Sequence, residues 1–166
     1  MPVISLSPFS EEQYHAFFRE YVPDPLMTST PFIYNYEQIS RSFQYNYGGF
    51  QKGYAHFGIF LDQIPVGSFQ LKRMDFDKGT AEFGIILQND RYKNKGIGTQ
   101  AIIAGMEIAR SDYGIHTIYG ETMSRNYRMK RVFEKLGFKL VETVPNAYQL
   151  PDGCFEDRLV WVKNME

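Results

Sequence analysis

The chain has 166 residues, of which 43% are hydrophobic and 22% are charged, and its formal net charge is -1. These proportions are typical of globular domains and unlike those of disordered chains, so we expect one folded domain over residues 1–166. A chain with so little net charge offers no basic field for a phosphate backbone, and nucleic acid is not expected as a partner.

Cysteine use and hydropathy predict the compartment. Cys154 is the single cysteine and cannot form an internal disulfide, and the N-terminus lacks a basic start followed by a long apolar run. No stretch approaches the roughly 18 continuous apolar residues that a membrane span needs. We therefore expect a cytoplasmic protein that does not enter a membrane.

The first third of the chain predicts a short strand and two helices. Val3–Leu6 has the pattern of a strand, and Ser10 followed by two glutamates is typical of the cap of a helix that reaches about Arg19. Three prolines in Tyr21–Pro31 predict an irregular loop, and a second helix is predicted over about Tyr36–Gln44.

Three strands are predicted next, as a meander. Ala55–Leu61 and Val66–Lys72 are joined by the turn at 62–65 and predict a hairpin, and Ala81–Gln88 adds a third strand. Alternation in the third strand places its larger apolar side chains on one face and Glu82 on the other. The apolar set comprises Ala81, Phe83, Ile85 and Leu87.

Helices and strands alternate in the second half. An apolar stripe from Ile97 to Ala109 predicts a helix, Ile115–Met123 a strand, and the spacing from Met129 to Leu136 a second amphipathic helix that Gly137 ends. Two more strands are predicted at 138–144 and 155–162. This order favours a mixed sheet in an α/β or α+β domain.

The segment Arg91–Ala101 carries the most chemical information. Gly96 and Gly98 permit a tight bend, so the free N–H groups at the start of the following helix can point at an anion such as a diphosphate, and Lys93 and Lys95 add positive charge. A plain tight turn is the alternative. A P-loop is excluded because its last glycine is followed by Lys and then Ser or Thr, whereas Gly98 is followed by Thr99 and Gln100. A Rossmann fingerprint is excluded because this segment lacks the third glycine.

This segment resembles the signature of the GNAT superfamily of N-acetyltransferases, which has Arg or Gln, two residues, Gly, one residue, then Gly or Ala. Lys93 stands where the signature has Arg or Gln. A second segment, Asn126–Phe138, is similar to the later motif of that superfamily, in which Asn opens a helix that ends in Tyr-Glu-Lys-x-Gly-Phe. Ala81–Gly84 and Gly153–Asp157 resemble the branch of ribosomal-protein N-terminal and spermidine acetyltransferases.

The resemblance implies a single-domain GNAT-like α/β (α+β) fold with a mixed, mostly antiparallel sheet of about seven strands and about four helices. It also implies transfer of an acetyl group from acetyl-CoA, without a metal, to a primary amine that is either a small molecule or a protein N-terminus. Acetyl-CoA is expected in a V-shaped opening between the central strand and the strand that begins near Ile115.

The same resemblance implies the residues that bind the cofactor. The backbone of Ile86, Leu87 and Gln88 would pair with the pantetheine arm, and Asn126 would reach that arm from the second motif, although Asn126 is equally explained as a helix cap. The diphosphate would lie on the glycine turn, helped by Lys93. That turn comprises Asn94, Lys95, Gly96, Ile97, Gly98 and Thr99.

Proton transfer is the least determined step. An alkylammonium with a pKa of about 10.4 must lose a proton before it attacks, and Glu82 and Glu121 are the candidate bases, with a slight preference for Glu82. Either one is also explained as an ordinary exposed strand carboxylate. Many relatives carry a tyrosine where this chain has Phe133, so Tyr127, Tyr148 or water would have to protonate the departing sulfur.

Two other functions stay open at this point. A non-catalytic acyl-CoA sensor would keep the cofactor site without proton transfer, and a nucleotide-binding module would use the glycine turn for another phosphate. His15, His56 and His116 lack metal-ligand spacing, so no metal site is predicted. Aromatic residues crowd the first 60 positions, and we expect most of them in the core and a few in the wall of a ligand pocket. Exposed aromatic side chains near the first helices would suit a homodimer contact.

Overall fold

A computed structural model describes residues 3–28, 30–49 and 52–166. These residues form seven strands, four α-helices and one 3-10 helix. The strands make a single mixed sheet, and helices pack on both of its faces. The elements in chain order are β1 (Ile4–Ser7), α1 (Glu11–Arg19), α2 (Tyr36–Tyr47), β2 (Ala55–Leu61), β3 (Ile64–Asp75), β4 (Thr80–Leu87), the 3-10 helix (Asp90–Tyr92), α3 (Ile97–Tyr113), β5 (Thr117–Met123), α4 (Tyr127–Lys135), β6 (Lys139–Gln149) and β7 (Phe155–Asn164).

The predicted fold is confirmed, with small changes at the ends of elements. Ser10 caps α1 and forms a capping box with Gln13, as the residues before that helix predict. The hairpin turn is shorter than predicted, because Asp62 and Gln63 adopt φ values of 50° and 70° and turn the chain alone. Ile64 and Pro65, predicted in the turn, therefore belong to β3.

The sheet has the strand order β1-β2-β3-β4-β5-β7-β6, and β4 and β5 are its parallel neighbours. Those two strands pair only at Thr80 with Thr117, Ala81 with Ile118 and Glu82 with Tyr119. From Phe83 onward β4 keeps its antiparallel partner β3 but has no strand on the side of β5. The sheet is thus split into two arms that diverge toward the C-terminal ends of β4 and β5.

Each face of the sheet is covered by its own apolar cluster. The larger cluster joins β3 and β4 to α3 through Phe69, Phe83 and Ile102, and the smaller one joins α1 and α2 to Phe60. Alternation in β4 serves both clusters, because Phe83 belongs to the larger one while Ile86 packs against the smaller one. The β4 arm of the split is therefore anchored by side chains packed on both faces of the sheet.

Candidate active site

Two adjoining cavities fill the split between β4 and β5. The first, called here the glycine-turn cavity, has a volume of about 270 Å³ and lies between the turn at 94–99 and α4. The second, called the carboxylate cavity, has a volume of about 240 Å³ and contains Glu82, Glu121 and Tyr148 in its wall. The residues that line both cavities are Met27, Ile85, Asn126 and Met129.

The glycine-turn cavity is closed at one end by the start of α3. Asn94 and Gly96 adopt left-handed conformations, with φ of 60° and 78°, and α3 begins directly afterwards without a side-chain cap. The first backbone bond of that helix runs from the N–H of Gln100 to the carbonyl of Gly96, at 3.0 Å. The N–H groups at 97–99 therefore lack intrahelical acceptors and form an anion-binding end.

Gly96 and Gly98 have different roles in this turn. Gly96 supplies the left-handed conformation that turns the chain into α3. Gly98 lies inside the helix, and a Cβ atom placed on it would meet nothing within 4 Å. The prediction that Gly98 helps to bend the chain is therefore corrected, since its contribution is open space above the free N–H groups.

The cations at this cavity differ from those predicted. Arg128 and Arg131 lie one turn apart on α4 and line the cavity, whereas the predicted Lys95 is exposed and does not line it. Sequence reasoning missed both arginines, although their i, i+3 spacing places them on one face of the predicted helix. The second motif thus adds positive charge at this cavity.

Lys93 lines the cavity, but its ammonium is already paired. Its Nζ atom lies 2.9 Å from Asp24 Oδ2 and 2.8 Å from Asp90 Oδ1, and the side chain is 11% exposed. Burial acts to lower the pKa of Lys93, but the hydrogen bonds and charges of Asp90 and Asp24 outweigh it and raise the pKa. Lys93 therefore stays charged and holds the loop that carries Asp24 against the glycine turn.

The free edge of β4 explains part of the predicted cofactor site. Ile86 and Leu87 line the glycine-turn cavity and pair with Ser68 and Gly67 on β3, while their strand has no partner toward β5. Backbone groups of alternate residues on that edge are free for an extended ligand.

Gln88 lies outside both cavities, and its predicted role is corrected. Its N–H donates to the carbonyl of Val66 at 2.9 Å, and its carbonyl accepts from the N–H of Val22 at 2.8 Å. Its side-chain amide donates to the carbonyl of Phe17 at 2.9 Å. The protein therefore occupies the backbone groups that were expected to meet the pantetheine arm.

Asn126 stands between the two cavities. Its side-chain oxygen accepts the N–H of Met129 at 3.2 Å and caps α4, and the residue is 6% exposed. The helix-cap interpretation therefore holds, and the same side chain lines both cavities. Contact with a pantetheine arm stays a prediction.

The two candidate bases share the carboxylate cavity but differ in their partners. Glu82, with a side chain 13% exposed, has Oε1 3.6 Å from Lys72 Nζ and Oε2 hydrogen-bonded to Arg73. The side chain of Glu121 is 33% exposed and has one distant partner, Arg158 Nε at 3.9 Å from Oε1. Glu82 thus has both oxygens engaged, while Glu121 keeps more freedom to take a proton.

Phe133, Tyr127 and Tyr148 differ in whether they line this cavity and whether they carry a proton to donate. Phe133 lines the cavity, and its buried ring stacks on Trp161 with centroids 5.1 Å apart, but it has no proton to give. Tyr127 is 50% exposed and lines neither cavity. Tyr148 is half-buried in the wall, and burial followed by the charge of Glu121 raises its pKa.

His15 and His56 belong to the packing of the first helices, whereas His116 lies just before β5 with Nδ1 2.9 Å from Thr117 Oγ1. None of the three lines either cavity. His56 contacts Tyr47 at 2.8 Å and Ser68 at 2.9 Å, and burial lowers its pKa to about 4. Within residues 3–28, 30–49 and 52–166, no group of three or more His, Cys, Asp or Glu residues is arranged to hold a metal ion. In the same ranges, every helix is too short or too polar to cross a membrane.

Comparisons with known proteins agree with this geometry. The family described as Acetyltransferase (GNAT) domain matches residues 4–139. Curated proteins gave no sequence match. Among solved structures, the spermidine N-acetyltransferase from Vibrio cholerae in complex with CoA and spermine is similar, with a TM-score of 0.83 and 14% identity over 98% of this chain and 95% of that chain.

Two further solved structures share the fold. A chimera of the Vibrio cholerae spermidine N-acetyltransferase SpeG with hSSAT has a TM-score of 0.85 at 15% identity, over 98% of this chain and 95% of that one. A dodecameric structure of the Vibrio cholerae enzyme has a TM-score of 0.77 at 14% identity, over 98% and 94%. At identities this low, the structural similarity shows a common fold alone.

Proposed function

We propose that this chain, which belongs to the acetyltransferase (GNAT) domain family, transfers the acetyl group of acetyl-CoA to a small primary amine. Membership of the family makes it an acetyl-CoA-dependent acetyltransferase. The observation that carries the proposal is the pair of joined cavities in the sheet split, one with free helix N–H groups and arginines, the other with two carboxylates and a tyrosine.

The glycine-turn cavity fits the cofactor end of the reaction. The N–H groups at 97–99 would hold the diphosphate, with Arg128 and Arg131 supplying charge from α4. The free edge of β4 at Leu87 would pair with the pantetheine arm. The ladder that takes the N–H of Gln88 to Val66 also turns the backbone groups of Ile86 toward β3, so Ile86 would contribute its side chain. The thioester would then lie where the two cavities meet, beside Ile85 and Asn126.

Glu121 is the base that this arrangement favours. An ammonium acceptor must lose a proton before nitrogen attacks the thioester carbonyl, directly or through one water. Glu121 faces the cavity with one ion-pair partner at 3.9 Å, whereas Glu82 would have to break a close pair with Lys72 or Arg73. We therefore assign proton removal to Glu121 and the positioning of the two cations to Glu82.

The charge around the carboxylate cavity favours an acceptor with few positive charges. Cations already lie near both carboxylates, since Lys72 and Arg73 hold Glu82 and Arg158 Nε lies 3.9 Å from Glu121 Oε1. A polyamine would bring further positive charges close to these three cations, which Coulomb interactions disfavour. The Vibrio cholerae enzyme is described in complex with spermine, and this chain is proposed to prefer monoamines. The volume of about 240 Å³ suits a small molecule better than a peptide N-terminus.

Release of free CoA from acetyl-CoA tests this function. The panel would contain monoamines, amino acids, aminosugars, polyamines and N-terminal peptides, with Glu121→Gln as the matched inactive variant. The largest kcat/KM is expected for a small monoamine. Tight CoA binding in calorimetry with no transfer to any amine would instead identify a non-catalytic acyl-CoA sensor, and displacement of CoA by ATP or NAD would favour a nucleotide-binding module.

Self-association is proposed as well. Large apolar side chains near α2 are exposed, including Ile33 at 83% and Tyr36 at 61%, and a structure of similar fold is described as dodecameric. Light scattering after gel filtration would give the mass in solution, and Ile33→Ser is expected to lower it. A monomeric wild-type chain would contradict this proposal without affecting catalysis.

A further inference from the structure

We infer that Tyr148 donates the proton to the departing CoA sulfur, an inference that rests on the proposed acetyl transfer. The wall at Phe133 offers no proton, and Tyr127 lies outside both cavities. The donors that line the carboxylate cavity are Lys72, Thr122, Asn126 and Tyr148.

Three of these donors are engaged elsewhere or are too weakly acidic. Lys72 directs its ammonium at Glu82, at 3.6 Å. Thr122 accepts the indole N–H of Trp161 at 3.3 Å, and an aliphatic hydroxyl is a far weaker acid than a phenol. Asn126 caps α4 and carries an amide, which is not a proton donor in acid–base chemistry. Tyr148 is the phenol that remains.

A break in β6 brings Tyr148 into this wall. The strand is exposed along nearly its whole length, and Tyr148 is one of its two half-buried residues. The register with β7 shifts between Val144 and Tyr148, which pair with Arg158 and Glu156, so 145–147 stand opposite Asp157 alone. Such bulges redirect side chains, and they are over-represented beside active sites.

Hydrogen bonds fix the bulge to the turn before α4. Asn146 adopts a left-handed conformation with φ of 53°, and its N–H donates to Asp157 Oδ1 at 3.0 Å. The N–H of Asp157 donates to Ser124 Oγ at 3.1 Å, and that hydroxyl donates to Glu156 Oε2 at 2.8 Å. Ser124 stands two residues before Asn126, so one network connects the bulge before Tyr148 to the turn that precedes α4.

The charges that face Tyr148 keep its hydroxyl protonated at neutral pH. Burial raises its pKa first, Glu121 on β5 raises it further, Arg158 on β7 opposes them and Glu82 on β4 adds a smaller increase. Lys72 on β3 lines the same cavity and is paired with Glu82. A donor that stays protonated across the working pH range is ready whenever the thioester is attacked.

Acetyl transfer makes one carbon–nitrogen bond and breaks one carbon–sulfur bond. The amine nitrogen bonds to the carbonyl carbon, and collapse of the tetrahedral adduct breaks the carbon–sulfur bond. The thiolate takes the proton of the Tyr148 hydroxyl, and the phenolate regains one from Glu121, which holds the proton that it removed from the ammonium. The second proton on the nitrogen is lost to water. The products are an amide and the free thiol, with no oxidant or reductant required.

Replacing the hydroxyl alone tests the inference. Tyr148→Phe is expected to lower kcat with acetyl-CoA by about 10- to 100-fold, the range of a single general acid at a moderately good leaving group, with little change in either KM. Tyr127→Phe is the matched control and is expected to keep wild-type kcat. The melting temperature of each variant shows whether the fold is retained.

The leaving group separates proton donation from a structural role. With S-acetyl-4-nitrothiophenol as acyl donor, whose thiolate needs no proton, Tyr148→Phe is expected to match the wild-type rate within about 3-fold. Equal losses with both donors, an unchanged kcat, or a loss that follows Lys72→Met instead would overturn the inference. A wild-type chain that acetylates no amine would remove the proposed function itself, which the panel of amines shows independently.

Discussion

The two cavities of the sheet split differ in the groups that form them, which are backbone groups in one and side chains in the other. The glycine-turn cavity depends on backbone groups, namely the uncapped start of α3 and the free edge of β4. The carboxylate cavity depends on side chains from β3, β4, β5 and β6, among them Lys72, Glu82, Glu121 and Tyr148. Backbone sites follow from a short local pattern, whereas side-chain sites need strands that are distant in sequence to meet. The first suits a cofactor common to a family, and the second suits an acceptor particular to one chain.

The largest effect is expected in the carboxylate cavity. Glu121→Gln should lower kcat by about 100- to 1000-fold near pH 7, because the acceptor amine then keeps its proton. The deficit should shrink as the pH approaches the pKa of the amine. Glu82→Gln is the matched control, with an expected loss of about 5-fold or less, because its carboxylate holds Lys72 and Arg73 instead of the acceptor proton. The opposite order in the pH–rate profiles would assign the base to Glu82.

The next largest effect is expected at Gly98, where the first turn of α3 leaves open space. Gly98→Val should raise the Kd for acetyl-CoA by about 100-fold, since the methyl groups would fill the place of the diphosphate. The fold should persist, because Gly98 has an ordinary helical backbone. Calorimetry with acetyl-CoA measures this change.

Gly114 at the other end of α3 provides the control for Gly98. It adopts φ of 66°, and a Cβ there would also meet nothing within 4 Å. Gly114→Ala should therefore destabilise the fold by about 1 kcal/mol and leave the Kd for acetyl-CoA unchanged. Normal cofactor affinity in Gly98→Val would place the diphosphate elsewhere.

A smaller effect is expected from the arginines on α4. Arg128→Gln and Arg131→Gln should each raise the KM for acetyl-CoA by about 10-fold, the loss of one charge-assisted contact. Each variant should also show a weaker dependence of KM on salt than the wild type. Lys95→Gln is the control and should leave KM unchanged, since its side chain does not line the cavity. A response from Lys95 alone would reverse the assignment.

The smallest effect concerns Asp24, which contacts cations on both sides of the glycine-turn cavity. Its Oδ2 atom lies 2.9 Å from Lys93 Nζ and 3.9 Å from Arg128 Nη1. Asp24→Asn should lower the Kd for acetyl-CoA by about 3-fold, because an anion that competes with the diphosphate is removed. Lys93→Met should raise the Kd, since it leaves Asp24 less compensated. A higher Kd in both variants would make the pair of Asp24 and Lys93 an anchor of the loop only.

The sequence predicted the local features of the site better than the contacts between distant segments, for physical reasons. Gly96 adopts the left-handed conformation by itself, and Asn126 caps α4 by accepting the N–H of Met129, only three residues later in the chain. Both features therefore depend on residues that are close in sequence. The backbone of Gln88 is bound by Val22 and Val66, which belong to other segments. Tyr148 depends on a bulge held by Asp157 on the next strand. Neither contact leaves a periodic signal in the sequence.

The ionic partners were the other feature that the sequence did not reveal. Lys93 was expected to face the diphosphate of the cofactor, yet it pairs with the carboxylate of Asp24, a residue from the proline-rich loop. Glu82 was preferred over Glu121 because of its strand face, but Lys72 and Arg73 on β3 hold it. Strand pairing determines such neighbours, and two strands of opposite direction can meet in several registers.

The central claim is that the amide hydrogens at the start of α3 bind the diphosphate of acetyl-CoA. A crystal structure of the chain with CoA tests it most directly. We expect diphosphate oxygens within about 2.7–3.2 Å of the backbone nitrogens of Ile97, Gly98 and Thr99. A diphosphate bound away from 97–99, or amide hydrogens there that donate to the protein itself, would contradict the account.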